Sequence, residues 1–259
     1  MKRLLSFLTI LVCVTAAGKQ PKITSRPFGE LSTGESTTLY TITNRSGASM
    51  QLLDYGARIV SIMMPDRKGH NGDVVVGFGD IENFEKKDRF IGPVIGRFGN
   101  RINHAAFTLD DTRYELVANE KLGGEPVQCH GGTMGFDRFV WDATPVKEEG
   151  RTGVRFHRVS PDGEQGFPGT MDVNVTYWLT DSNTVRVEYE ATTDKPTVVN
   201  LSNHTYFNLK GNEGGYVMDH LLQVEADTCI QNNAQFCPDI LRHVDGSPFD
   251  FREPHRVDY

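Results

Sequence analysis

A regular alternation of apolar and polar side chains near the middle of the chain limits the folds that it can adopt. Every second residue from Met171 to Leu179 is apolar, and Asp172, Asn174, Thr176 and Trp178 stand between them. After a polar turn at 181–183 the same alternation runs from Val185 to Tyr189. Successive side chains of a β-strand point to opposite faces, so the pattern predicts an antiparallel hairpin with one face in a core.

The rest of the chain also predicts strands. A shorter hairpin is expected at 107–116 around a turn at 110–111, and a further strand at 222–226. One short helix is expected after Asp80, which is a suitable N-cap, with Ile81 and Phe84 on its apolar side. Short strands punctuated by 26 glycines and 12 prolines predict an all-β protein with one large antiparallel β-sandwich domain.

Composition limits the classes of function. A chain of 259 residues can bury a sizeable core. Its net charge is -7, so no basic face for nucleic acid is predicted. The spacings typical of zinc sites, paired cysteines or a His-Glu-x-x-His helix, are absent from the sequence, so we predict no metal site.

The first residues resemble a secretory signal peptide. Lys2 and Arg3 precede an apolar run at 4–14, and small residues follow at 15–18. The apolar run is too short for a permanent membrane span. We therefore predict a signal peptide at 1–17, cleaved after Ala16 or Ala17, and one domain at 18–259 that is exported to the periplasm or secreted.

Three cysteines follow the predicted signal peptide: Cys129, Cys229 and Cys237. This odd number does not indicate a disulfide framework. Cys229 and Cys237 could pair if two strands bring them together, or all three could be free thiols. Cys129 directly precedes His130, but adjacent residues on a strand point to opposite faces, which argues against a nucleophilic Cys/His pair.

The segment 203–209 places His204 among amide and aromatic side chains, just after the apolar, β-branched run at 198–201. An imidazole titrates near neutral pH, amides form hydrogen bonds with hydroxyls, and aromatic rings offer flat apolar surfaces. Together these groups are typical of a site that handles sugars. A structural histidine in an ordinary strand is the alternative.

Other motifs extend this interpretation, and they lie at 55–59, 96–102, 130–137, 160–169 and 246–252. In this order and spacing they resemble the aldose 1-epimerases (mutarotases), from about Tyr40 to the end of the chain. The resemblance implies a large β-sandwich (the galactose mutarotase-like supersandwich) with the sugar in an open cleft. It also implies interconversion of the α and β anomers of free hexoses such as glucose and galactose, without a cofactor.

The resemblance assigns roles to four residues. It implies that His204 is the catalytic acid for the ring oxygen, and that His130 is a second active-site histidine near the anomeric centre. Asn100 and Arg101 match a pair whose arginine binds sugar hydroxyls through its planar guanidinium. From the residues alone, His130 could belong to a tight turn, and Arg101 could be a surface residue at a strand end.

Two features of the family are missing. The catalytic base, a glutamate far towards the C-terminus, and an aspartate in a Gly-[Phe/Tyr]-Asp-His motif do not occur before Tyr259. The chain therefore looks truncated at its C-terminus. We expect loss of the base to cost about 10²–10⁴ in rate. We also expect open sheet edges and uncovered apolar faces.

Alternative functions remain open. A non-catalytic carbohydrate-binding sandwich would hold sugar without turning it over. An epimerase acting on a sugar phosphate would need extra Arg or Lys side chains for the dianion, and the export signal argues against it. The expected partner is a small aldose, with no nucleic acid and no permanent membrane span, and the protein is expected to be a monomer or weak dimer.

Overall fold

A computed structural model of the chain describes residues 20–87 and 90–258. Its one α-helix, α1, spans Ile81–Lys86, and short 3₁₀ turns occur at Phe136–Arg138 and Glu164–Gly166. The strands of the described residues are, in chain order, β1 Lys22–Glu30, β2 Ser36–Thr43, β3 Ser49–Leu53, β4 Arg58–Pro65, β5 Asn71–Asp73, β6 Val94–Ile95, β7 Arg101–Asn103, β8 Ala106–Leu109, β9 Thr112–Glu115, β10 Glu120–Leu122, β11 Glu125–Cys129, β12 Asp142–Glu148, β13 Arg151–Ser160, β14 Met171–Thr180, β15 Val185–Thr193, β16 Ser202–Asn203, β17 Leu221–Leu222, β18 Thr228–Asn232, β19 Pro238–His243 and β20 His255–Arg256.

Two antiparallel sheets contain most of the long strands. The first has the order β1-β2-β3-β4-β5, and the second has the order β12-β13-β14-β15. Strands β14 and β15 pair from Met171 opposite Thr193 to Leu179 opposite Val185, which confirms the predicted long hairpin. The shorter predicted hairpin is also confirmed, because β8 and β9 pair around the turn at 110–111.

The main hydrophobic core lies between these two sheets. Its fully or nearly fully buried side chains include Ile42, Met50, Leu52 and Ile62 from the first sheet and Val154, Phe156, Val173, Val175 and Tyr177 from the second. The ring of Tyr40 meets that of Phe156 edge to face, with 6.2 Å between centroids. The predicted β-sandwich is thus confirmed, and the inward side of β14 is the apolar set that the alternation marked.

Smaller sheets join segments that are far apart in the chain. One sheet has the order β10-β11-β7, and β16 pairs with β6, with Ser202 opposite Ile95 and Asn203 opposite Val94. These pairings bring 94–103, 120–130 and 200–204 to one side of the molecule, where the candidate site lies.

The predicted helix is confirmed, and the predicted strand at 222–226 is only partly correct. Asp80 caps α1 by accepting a hydrogen bond from the Asn83 backbone N–H at 2.8 Å. Near residue 222, only Leu221 and Leu222 form a strand, β17. The Ala226 N–H bonds the Val224 carbonyl two residues earlier, so the backbone turns there and leaves the ladder.

The predicted signal peptide at 1–17 lies outside the described residues, and that prediction is not tested by the structure. Within the described part of the chain, the helical structure does not include a segment of the length and apolarity that a membrane span requires.

Candidate functional site

An extended segment at 200–204 forms one wall of a cavity of about 430 Å³. Because side chains alternate along extended backbone, Asn200, Ser202 and His204 lie on the same face and all line this cavity. Leu201 packs against the core of the sandwich, and Asn203 bonds a core tyrosine. The cavity is lined by Ile95, Gly99, Asn100, His130, Asn200, Leu201, Ser202 and His204.

His204 is held on both sides by hydrogen bonds. Its N–H donates to the Pro93 carbonyl at 3.0 Å, and its carbonyl accepts from the Gly92 N–H at 3.0 Å. The neighbouring Asn203 amide donates to the Gly92 carbonyl and to the Tyr177 hydroxyl, both at 3.0 Å. Tyr177 is fully buried and in turn donates to the Ala57 carbonyl at 2.6 Å. The backbone around His204 is therefore anchored to the core.

His130 follows the end of β11 in a left-handed conformation, with φ of 54°. The next residue, Gly131, approaches the Gly96 carbonyl so closely that a Cβ atom would lie 1.8 Å from that oxygen, so only glycine fits. The side-chain amide of Asn119 both accepts from the Cys129 N–H at 2.7 Å and donates to the Cys129 carbonyl at 2.9 Å. These contacts fix the direction in which His130 leaves the strand.

The two imidazoles lie side by side. Their ring centroids are 5.1 Å apart and the planes are nearly perpendicular, at 85°. Phe90 lies against both, with its centroid 4.6 Å from that of His130 and 5.9 Å from that of His204. The ring of Tyr206 is 5.1 Å from His204. The histidines thus belong to an aromatic cluster at the edge of the cavity.

The environment of His130 keeps its ring neutral. Burial, followed by the positive charges of His204 and Arg101, lowers the pKa of His130 from 6.5 to about 4. Its Nδ1 accepts a hydrogen bond from the Asn100 backbone N–H at 3.1 Å. A neutral imidazole that accepts at Nδ1 holds its proton on Nε2, so His130 is a hydrogen-bond donor at neutral pH.

Asn100 lines the cavity, whereas Arg101 lies beside it. Arg101 pairs with Cys129 across β7 and β11, and cross-strand partners share a face, so its side chain starts on the same face as that of Cys129. The guanidinium binds both carboxylate oxygens of Glu120, with Nε–Oε2 at 2.7 Å and Nη2–Oε1 at 3.3 Å. It also donates to Asn100 Oδ1 at 3.4 Å. Sugar binding by Arg101 and Asn100 stays a prediction.

The three cysteines of the described chain are free thiols. Cys129 is buried, and burial raises the pKa of its thiol to about 12. Such a thiol stays protonated and is a poor nucleophile.

Several site residues were not found by sequence analysis. Asn119, Asn203 and Phe90 position or enclose the histidines, and Ser202 and Asn200 line the cavity. The period-two spacing of 200, 202 and 204 could have indicated the last two residues. Asn119 gives no such signal, because it acts on the backbone of a segment ten residues further along the chain. The described cavity wall contains no carboxylate, Lys or Arg side chain.

Comparisons with known proteins identify the family. The sequence model of the family described as aldose 1-epimerase matches residues 38–258. The chain is 37% identical over 243 residues to galactose mutarotase from Mus musculus, covering 92% of this chain and 68% of that protein. It is 36% identical over 220 residues to aldose 1-epimerase from Escherichia coli strain K12, covering 85% and 61%.

A solved structure is similar as well. The crystal structure of galactose 1-epimerase from Lactobacillus acidophilus NCFM superimposes with a TM-score of 0.81 at 28% sequence identity. The match covers 92% of this chain and 68% of that one. The chain thus spans about two thirds of the length of the relatives that it matches.

Proposed function

Because the chain belongs to the aldose 1-epimerase family, we propose that it is an isomerase that interconverts the α and β anomers of a free aldose such as glucose or galactose. The observation that supports this most directly is the pair of imidazoles, 5.1 Å apart, in the wall of one cavity together with Asn100. One group can transfer a proton while the other donates a hydrogen bond, and both line the same cavity.

The reaction requires the sugar ring to open and close. His204, as imidazolium, donates a proton to the ring oxygen O5 as the C1–O5 bond breaks, and the hydroxyl on C1 loses its proton as C1=O1 forms. The aldehyde then turns about C1–C2. It closes when O5 attacks the other face of C1, returning its proton to His204 while O1 is protonated again. Protons and electrons balance, and no cofactor takes part.

His130 has a different role from His204 in this proposal. Its ring is neutral with a proton on Nε2, so it donates a hydrogen bond and does not accept the proton from O1. Such a donor stabilises the oxygen on which negative charge develops as the ring opens. Asn100 adds an amide in the same wall.

The acceptor of the O1 proton is water in this proposal, because the described cavity wall contains no carboxylate. A positioned general base is worth about 10²–10⁴ in rate. We therefore expect this chain to accelerate anomerisation by a factor about 10²–10⁴ smaller than a site that holds both an acid and a carboxylate base.

Polarimetry tests the proposal. Crystalline α-D-galactose or α-D-glucose is dissolved, and the approach to anomeric equilibrium is followed with the chain, with buffer alone, and with His204→Ala. The matched control is His70→Ala, because the His70 side chain is 79% exposed and lies outside the cavity. We expect acceleration that His204→Ala abolishes and His70→Ala retains. Equal acceleration by both variants would exclude His204 as the acid.

One observation favours a second function. A cavity with hydrogen-bonding groups but no carboxylate suits a protein that binds sugar without turning it over. Saturable galactose binding with no change in the rate of anomerisation would establish this alternative. A sugar-phosphate substrate is disfavoured, since the described wall offers no Lys or Arg for the phosphate.

We also propose that residues 1–17 direct export to the periplasm or the medium, and that the exported protein is a monomer or weak dimer. The support for export is the basic, apolar and small-residue order of the first 18 residues. N-terminal sequencing of the exported protein should begin at Ala17 or Gly18. Retention of an uncleaved chain in the cytoplasm would contradict the export proposal.

A further inference from the structure

The face that presents His204 to the cavity presents two other polar side chains, Asn200 and Ser202, and neither belongs to the machinery described so far. Along extended backbone two residues span about 6.6 Å, so the three side chains form a row with this repeat. The position of Ser202 is one repeat from the proposed acid, a separation comparable to the width of a pyranose ring with its hydroxyls. A sugar whose ring oxygen contacts His204 is wide enough to reach Ser202.

Both side chains can form further hydrogen bonds. The Ser202 hydroxyl has a single, long contact within the described residues, to the Asn203 carbonyl at 3.5 Å. The Asn200 amide donates through Nδ2 to the Gly99 carbonyl at 3.0 Å, which fixes the side chain. Within the described chain no hydrogen bond is made by its Oδ1. Both residues are exposed and line the cavity.

The residues between them serve the fold. Leu201 packs on the sandwich core, and all the hydrogen bonds of the Asn203 side chain are to Gly92, Tyr177 and Thr205. Leu201, which also lines the cavity, and Asn203 thus hold the segment to the core, whereas Asn200, Ser202 and His204 present polar side chains to the cavity. Polar side chains that keep hydrogen-bonding capacity beside a proposed acid are suited to binding substrate hydroxyls.

We propose that Ser202 and Asn200 form the hydroxyl-binding wall of the site and select which aldose is held against His204. This inference rests on the proposed function for its substrate class, an uncharged aldose. The Ser202 hydroxyl both donates and accepts, and Asn200 Oδ1 accepts, which matches sugar hydroxyls and leaves no charge to be neutralised.

The experiment compares Ser202→Ala and Asn200→Ala with the unchanged chain and with Ser25→Ala, an exposed serine on β1 outside the cavity. KM and kcat are measured by polarimetry and Kd by calorimetric titration with galactose. Loss of one neutral hydrogen bond to a substrate hydroxyl should raise KM and Kd about fivefold to tenfold, with a smaller change in kcat. Ser25→Ala should leave both constants unchanged.

Deoxy-galactoses, each lacking one hydroxyl, locate the contact. If Ser202 binds one hydroxyl, Ser202→Ala should leave the Kd of the sugar that lacks this hydroxyl nearly unchanged. The same substitution should still raise the Kd of the other sugars. A merely structural effect would penalise every sugar equally. Equal penalties for all sugars, or an unchanged Kd in both variants, would overturn the inference.

The kinetic and the binding measurements distinguish failure of this inference from failure of the proposed function. If the unchanged chain binds galactose without accelerating anomerisation, the proposed function fails, but the Kd comparison still decides whether Ser202 and Asn200 bind the sugar. If the chain accelerates anomerisation and both variants keep its KM and Kd, the proposed function stands and the inference fails. Absence of any galactose binding overturns both.

Discussion

Two buried titratable side chains respond to pH in opposite directions. His130 is held neutral, with a pKa of about 4. Asp54 has its pKa raised from 3.8 to about 6, because burial of its carboxyl outweighs the hydrogen bonds that it accepts from the Thr38 N–H at 2.9 Å. The folded protein therefore binds a proton at Asp54 and excludes one at His130 over the same range of pH.

This opposition predicts the pH dependence of stability. The folded pKa of Asp54 lies above its ordinary value, so its contribution is fully present below pH 3.8 and is lost as pH rises through about 6. The contribution is at most about 3 kcal/mol. The folded pKa of His130 lies below its ordinary 6.5, so its contribution is present above that pH and is lost as pH falls towards 4.

Replacing either group should reveal the pH dependence of stability that the other contributes. Asp54→Asn should make the free energy of unfolding rise more steeply between pH 4 and 6 than in the unchanged chain, and His130→Gln should make it rise less or fall. Urea unfolding at half-unit steps of pH from 4 to 7 measures both slopes. Identical slopes in all three proteins would contradict the prediction.

At the scale of elements, the loop at 160–169 is tied to the site by one arginine. Arg97 is 1% exposed, and its guanidinium donates to Ser160 Oγ at 2.8 Å and to the carbonyls of Ser160, Pro161 and Pro168 at 2.8–3.0 Å. Its own carbonyl accepts from the Asn200 N–H at 2.9 Å. Arg97 therefore connects the loop between β13 and β14 to the segment that presents His204.

Replacing this arginine should destabilise the protein even when the charge is kept. Arg97→Lys cannot reproduce four bonds in the plane of a guanidinium, and buried carbonyls lose their donors, so we expect a loss of about 2–4 kcal/mol. The control is Arg113→Lys on β9, where the arginine side chain is 60% exposed and the expected loss is below about 0.5 kcal/mol. Equal losses in urea unfolding would refute the role of Arg97.

The sequence predicted those elements whose structure follows from local pattern. The hairpin of β14 and β15 depends on the alternation of apolar and polar residues, which the sequence shows directly. The cap of α1 depends on Asp80, which lies three residues before its hydrogen-bond partner Asn83. The strand expected through Ala226 ends early because the Ala226 N–H bonds the Val224 carbonyl two residues earlier and turns the backbone out of the ladder. The spacing of apolar residues does not indicate which hydrogen bonds the backbone forms.

The candidate site was predictable to a similar depth. The motifs indicated His130, His204 and Asn100 as site residues, and the three line one cavity. The direction of Arg101 towards Glu120 depends on the pairing of β7 with β11 and on β10 beside it, a register that the sequence does not specify. Asn119 and Asn203 act through backbone contacts, so they have no recognisable spacing relative to the histidines.

At the scale of the whole molecule, exposed apolar side chains are unevenly distributed. Most of the large ones lie at 206–257, and they include Leu209, Tyr216, Leu221, Ile230 and Leu241, each at least 60% exposed. Ile230 and Leu241 are also cross-strand partners in the hairpin of β18 and β19. Apolar surface of this extent is typical of contact surfaces or of proteins that associate.

We therefore expect concentration-dependent self-association through this region. Ile230→Lys combined with Leu241→Lys should shift the sedimentation profile towards monomer, because two charges would have to be desolvated in any contact through the hairpin. Val159→Lys, at a 49% exposed apolar position in the second sheet, is the matched control and should leave association unchanged. A profile that both substitutions alter equally would place the contact elsewhere.

The pairing of β16 with β6 also determines when the cavity forms during folding. Ser202 lies opposite Ile95, so the cavity forms only after two strands that are distant in the sequence have paired. Closing such a long loop costs entropy and is slow compared with hairpin formation. During synthesis β6 is made well before β16, so the pairing that completes the cavity waits for the later strand. The proposed proton transfer to a sugar thus requires this long-range pairing, and a nascent fragment that stops short of His204 holds one imidazole without its partner.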